Sequence, residues 1–279
     1  LGKDQEAYAS FETRTEEIRV RGDKAEIRVF RRSRHGPVIS DVNEALQAQV
    51  DPSRYALALR WTALAEDNLS LEASVAMAQA SNIEQLRDAL RLYQAPAQNV
   101  VMADLQGDIA YQVAGLVPKR KEDRIAGVAP IPGWDPRFAW DGFLSFEQLP
   151  HKNRRAILAE GAVFATANEK PDHAAFLGHD FARRDRKDRI TELLLKEDRH
   201  TIESMRSIQA DRYSKSLDTL IKKMGKPQSK HPLHAKAWPL LEGFAGDMDR
   251  SSVGPSLAIA WVDALTRRIL SDDLGAGLW

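Results

Sequence analysis

The order of periodicities along the chain predicts an α+β fold built in layers, with sheet stacked on another layer and the later helices covering it. Strand-like alternation dominates residues 15–170, and amphipathic helical spacing dominates 186–272. No alternating βαβ unit is visible between them. Neither a Gly-rich phosphate loop nor a dinucleotide fingerprint occurs, which argues against a doubly wound nucleotide fold.

Ile18–Arg21 and Ala25–Phe30 alternate apolar and charged residues around Gly22-Asp23, the pattern of a β-hairpin. Gly36-Pro37 punctuates the chain before a short strand at Val38-Ile39, and Ala56–Trp61 suits a further strand. From Leu71 the spacing turns helical. Ser81 with Glu84 three residues on reads as a capping box that opens a helix through Ile83, Leu86 and Leu90, ending before Pro96. Val100–Ala103 and Ile109–Val113 flank Asp104–Asp108, a second hairpin with Gly107 at its left-handed position. Residues 115–160, rich in Pro, Gly and Trp, read as a functional loop or covering flap. Val163–Thr166 suits a short buried strand, and helices are expected near 188–196, 202–211, 214–224, 234–244 and 256–271.

The 279 residues, 43% of them hydrophobic, are enough to bury a core and exclude intrinsic disorder. Lys plus Arg number 40 and Asp plus Glu also 40, so no net field draws the protein to nucleic acid or an anionic membrane. The absence of cysteine removes thiol nucleophiles, disulfides and Cys-based metal sites. Ser251–Val262 contains Gly254 and Pro255 and falls short of the ~20 apolar residues that span a bilayer. Leu1–Glu6 has neither a basic nor an apolar signal region, and Gly275–Trp279 stops on an apolar pair; both ends are expected to be cut from a longer chain.

No Gly-x-Ser-x-Gly elbow occurs, which demotes a Ser-His-Asp hydrolase. His35 in its Gly-Pro turn invites a general-base reading, against which stands a local hydrogen-bonding role. His231 with His234, and His173 with His179 and Asp180, offer possible metal ligands, but such loop and helix-start histidines are usually solvated. Asp180 alone could join a calcium site. Of the six tryptophans, Trp61 and Trp261 lie in apolar segments and are expected in the core, whereas Trp134 and Trp140 are the candidates for contact with a ligand.

Phe164–Pro171, Phe176–Asp180 and Arg186–Ile190, with Arg34–Val38, Gln98-Asn99 before Ala103-Asp104, Gly107–Tyr111, Pro130–Trp134 and Trp140–Gly142, resemble in order the β-subunit of the penicillin acylases, or penicillin amidases. The resemblance covers roughly residues 15–220. It implies an N-terminal nucleophile hydrolase with an αββα sandwich, incomplete in this chain, assembled from two chains cut from one precursor. In that family a Ser at the N-terminus of the β-chain attacks an amide carbonyl, its own α-amine acting as base. Asn168 matches the family's oxyanion-hole asparagine, and Arg189 the arginine near the active site, which would share a cleft with it. Without the resemblance, Asn168 reads as a turn residue before Pro171, and Arg189 as the partner of Glu192 or Asp185.

Asp180 lies near a family calcium ligand, while catalysis itself needs no cofactor. The chain, starting at Leu1, is expected to be an internal piece of a β-subunit, inactive alone, whose partners are the α-subunit, the rest of the β-subunit and a small-molecule amide substrate. Periplasmic or extracellular residence follows from the resemblance only. The alternative is a non-catalytic domain whose Trp-rich loop binds a ligand.

Overall fold

The computed structural model describes residues 9–122, 127–161, 163–226 and 228–274. The chain ends Leu1–Glu6 and Gly275–Trp279 lie outside them. The described residues form two compact units, one of those up to Glu160 together with Lys170–Phe181, the other of Gly161–Glu169 and those from Ala182 on.

In the first unit, β1 (Glu12–Ile18) pairs antiparallel with β2 (Glu26–Ser33), and β2 with the short β3 (Gly36–Pro37). The hairpin therefore starts earlier than the alternation at Ile18–Arg21 suggested. Ile18 is the last paired residue, opposite Glu26, and Arg19–Ala25 make the connection. Thr13 and Thr15 extend β1 because β-branched side chains suit a pleated strand whether or not it faces a core. Ile27 and Val29 are more than half exposed, so alternation here marks no buried face.

Of Ala56–Trp61 only Ala58 forms a bridge, to Val38, framed by hydrogen bonds from Ile39 N to Leu57 O and from Leu59 N to Pro37 O. Trp61 is half exposed rather than in the core. Gly36, at φ +127°, sits against the Leu59 carbonyl, where a Cβ would collide.

After α1 (Glu44–Gln47), α2 (Ser70–Gln79) and α3 (Ile83–Leu90) pack on a sheet of β4 (Gln98–Ala103) and β5 (Ile109–Ala114). The cap of α3 is Asn82, one residue later than Ser81, because its Oδ1 accepts from Gln85 N while Gln85 Oε1 accepts from Ser81 N. Leu90, Met102, Ala110 and Ala114 form the core here, with Met77, Ile83, Leu86 and Phe146 around them. The β4–β5 turn follows the expected design: Asp104 Oδ1 accepts from Gln106 N and Asp108 N, and Gly107 has φ +85°. Fully buried Gln112 is satisfied by Arg87 Nε, which donates to its Oε1, and by its own Nε2, which donates to Val113 O.

The Pro-, Gly- and Trp-rich stretch has structure of its own: β6 (Pro118–Arg120) pairs with β7 (Trp140–Phe143), and β8 (His151–Asn153) adds to β5 before α4 (Arg154–Glu160).

The second unit holds α5 (Asp185–Leu194), α6 (Ile202–Gln209), α7 (Lys215–Met224), α8 (His234–Glu242) and α9 (Gly254–Leu274). All five lie close to their expected positions. Thr201 and Ser204 close a reciprocal cap on α6, and Ser214 caps α7. Ile221, Trp238, Leu241, Phe244 and Ala258 build the core of α7–α9, where Trp261 packs edge-on to Trp238. Val163–Thr166 forms no strand; the pairing in this region is a single parallel bridge, Glu169 to Ala182. No helix among the described residues is long and apolar enough to cross a membrane.

Candidate functional site

Residues 166–169 make a tight turn whose centre, Asn168, has φ +67°, the sole positive φ at a non-glycine position among the described residues. Asn tolerates this left-handed conformation better than most side chains. Three contacts fix the turn. Buried Glu169 folds its carboxylate back, Oε2 accepting from Ala167 N at 2.8 Å, while Oε1 accepts from Lys187 Nζ at 2.6 Å. The Asn168 carbonyl accepts from Ala182 N at 2.8 Å. From the first turn of α5, Arg186 Nη2 donates to Ala167 O at 2.7 Å and to Asn168 Oδ1 at 2.9 Å.

Burial by itself would raise the Glu169 pKa, but the hydrogen bonds from Lys187 and the Ala167 amide outweigh it and hold the carboxyl below the ordinary carboxylate range. The site therefore contains an ionised, buried carboxylate whose work is structural, since both oxygens are committed to neighbours.

The Arg186 contact also decides which way the Asn168 amide points. A guanidinium has only donors, so the atom facing it is the oxygen. The Nδ2 hydrogens are left facing outward from an exposed side chain with no protein partner among the described residues. Chemically this is a preoriented pair of N–H donors beside a fixed positive charge, suited to meet a developing oxyanion.

Arg189, the arginine expected here, is engaged elsewhere. It makes a forked pair with Asp211, Nε to Oδ2 at 3.0 Å and Nη2 to Oδ1 at 2.7 Å; Nη1 reaches Glu192 at 2.9 Å, and the guanidinium lies over the Tyr213 ring. These partners, Asp211 foremost, raise its pKa above the usual arginine value. Arg189 ties α5 to the segment between α6 and α7. Arg186, Lys187 and Glu169 were in the sequence segments considered but carried no distinguishing signal, because two arginines three apart fall on neighbouring positions of a helix face.

Trp134 and Trp140 belong to the first unit. Trp134 is 57% exposed and stacks on Tyr55, ring centroids 6.0 Å apart. Trp140 is half-buried beneath the guanidinium groups of Arg60 and Arg120. His35 takes the local role, its Nε2 lying 2.7 Å from Gly133 O, so the Arg34–Val38 and Pro130–Trp134 segments meet.

Asp180 is exposed, and among the described residues no group of three or more His, Asp or Glu gathers to hold a metal. His173 and His231 accept backbone N–H bonds from Ala175 and Leu233, and so cap turns.

The family model for penicillin amidase matches residues 3–279. The chain is 29% identical to an acyl-homoserine lactone acylase, QuiP, of Pseudomonas aeruginosa, over 94% of its own length and 32% of the relative's. It is 30% identical to the penicillin acylase 2 proenzyme of Pseudomonas sp. strain SE83, over 92% and 32%. It thus spans about a third of the length of these relatives. Among solved structures it is similar to a thermostable penicillin G acylase from Alcaligenes faecalis, with TM-score 0.67 at 19% identity, covering 96% of this chain and 48% of that one. The fold is accordingly that of the N-terminal nucleophile hydrolases. By the match along nearly its whole length, the chain belongs to the penicillin amidase family.

Proposed function

We propose that the protein is an amidohydrolase of the penicillin acylase type, in which Asn168 donates from Nδ2 to the oxyanion of the tetrahedral intermediate and Arg186 holds the amide in that orientation. The observation that carries the reading is the Arg186–Asn168 contact at a residue with φ +67°. Strained backbone supported by several converging hydrogen bonds is characteristic of working sites.

The nucleophile in this reading is a serine at the N-terminus of the full β-chain, with its α-amine as base acting through a water; an acyl-enzyme forms and water releases the acid. The substrate is an acyl amide. Two named relatives, one an acylase of acyl-homoserine lactones and one a penicillin acylase, support the class. That the second is a proenzyme supports an α-subunit and the rest of the β-subunit, cut from one precursor, as the partners that complete the site. Periplasmic or extracellular residence goes with this reading. Exposed Trp134 is the proposed contact for an apolar acyl or leaving group.

The test is hydrolysis of N-acyl homoserine lactones and of penicillin G by the full-length protein. Asn168→Ala lowers kcat by ~10²–10³ if its amide is an oxyanion donor. Undiminished turnover by the folded variant would remove Asn168 from the mechanism.

A further inference from the structure

Several arginines of the first unit pair with a carboxylate: Arg31 with Asp41, Arg91 with Glu147 and Asp88, Arg137 with Asp135. Among the described residues Arg34, Arg60 and Arg120 do not, and Arg60 and Arg120 share one aromatic ring. Arg120 is the cross-strand partner of Trp140 between β6 and β7, with its guanidinium carbon 5.4 Å from the centre of the Trp140 ring. The guanidinium carbon of Arg60 lies 4.3 Å from the same ring. Arg34 Nη2 donates to Gly133 O at 2.9 Å.

No described Asp or Glu makes an ion pair with any of the three. Burial first, then the neighbouring charge of Arg34, pushes the Arg60 pKa down; burial and then Arg60 do the same to Arg120. An arginine does not relieve such repulsion by losing its proton, because its pKa lies too far above neutrality. What relieves it is an anion. The aromatic ring holds two of the forks in place in advance, so a ligand that binds them has little ordering left to do.

We propose that Arg60 and Arg120, both held on the Trp140 ring, form together with Arg34 a binding site for a small organic acid, whose carboxylate accepts hydrogen bonds from the guanidinium groups. Forked N–H donors match the two oxygens of a carboxylate. Arg34 and Arg60 are exposed and Arg120 half-buried, so the cluster is open to solvent while its inner member is shielded from it. The inference does not rest on the role of Asn168, and either can fail while the other stands.

The test titrates the protein with citrate at constant ionic strength, followed by calorimetry, with inorganic phosphate as the parallel probe. Saturable citrate binding is expected, weakened about tenfold or more in Arg60→Gln and Arg120→Gln and unchanged in Arg137→Gln, whose arginine is already paired with Asp135. Absence of saturable citrate binding, equal weakening in Arg137→Gln, or phosphate binding as tightly as citrate overturns the assignment. A second measurement needs no variant: arginine-selective dicarbonyl labelling with peptide mapping. Citrate should protect Arg34, Arg60 and Arg120 while leaving Arg14 and Arg19 reactive; uniform labelling with and without citrate also overturns it.

Discussion

Arg186 Nη2 lies 2.9 Å from Asn168 Oδ1 and 2.7 Å from the carbonyl of Ala167, so one guanidinium group holds both the side chain and the backbone of the turn it faces. Arg186→Ala in the full-length protein should, on the proposed function, lower kcat about 10²-fold with little change in KM, since a misaligned donor loses interactions made in the transition state. Arg186→Lys keeps the charge but not the planar guanidinium that reaches both oxygens, and should recover only part of the rate. Equal kcat for Arg186→Ala and the parent would show that the contact orients nothing.

Arg189→Ala provides the contrast. Its loss breaks the forked pair with Asp211 and the contacts to Glu192 and Tyr213, and leaves the Asp211 carboxylate without its partner. Thermal unfolding should shift downward while kcat of the folded fraction stays within about threefold of the parent, an order-of-magnitude allowance for a residue outside the reacting centre. A kcat loss matching that of Arg186→Ala would return the active-site role to Arg189.

Asn168→Ala mixes two effects, loss of the amide and loss of the polar side chain that eases a left-handed backbone, a conformation that costs an ordinary side chain about 1–2 kcal/mol. Asn168→Gly separates them. Both variants should lose activity alike, and only the alanine variant should lose stability beyond what the missing contact explains. Stability curves in urea with parallel rate assays read the two apart.

Glu169 gives a pH signature. Its folded pKa is lowered from the ordinary 4.5, so the unfolded chain binds the proton more readily. The stabilisation is complete above the ordinary value and is lost as pH falls through the lowered one. Glu169→Gln should flatten that acid limb of the stability profile and cost stability at neutral pH, because Lys187 then loses its partner. Identical acid limbs in parent and variant would exclude the linkage.

Leu90, 1% exposed at the joint of α3 with the β4–β5 sheet, tests the core of the first unit. Leu90→Ala should destabilise by about 2–5 kcal/mol. Gly36→Ala tests the backbone: its φ of +127° and the adjacent Leu59 carbonyl predict a loss of about 1–3 kcal/mol, measured by chemical denaturation.

What could be read in the sequence was local. The β4–β5 hairpin was legible because Asp104 and Gly107 act within their own turn, and the helices of the second unit because apolar spacing repeats over many residues. Asn82 displaced Ser81 as the cap because both are good caps and it is Asn82 Oδ1 that accepts from Gln85 N, while Ser81 N donates to Gln85 Oε1. Trp61 was expected in the core from its apolar neighbours, but the segment makes one bridge and leaves the ring half exposed. Val163–Thr166 has a strand's composition and no strand to pair with. The choice between Arg186 and Arg189 depended on a turn that lies 18 residues before Arg186, and nothing in the local pattern of α5 reports where that turn lies.

The conformation of Asn168 also narrows what descent can do with this position. Among single-base changes from an asparagine codon, aspartate is the replacement that best tolerates a left-handed backbone, and it exchanges the N–H donors for a negative charge. The same exchange happens chemically when a stored amide hydrolyses. A lineage, or an ageing preparation, that drifts by this route would keep the shape of the loop and fall silent in chemistry, so spectroscopic proof of folding is a poor certificate of competence for this molecule.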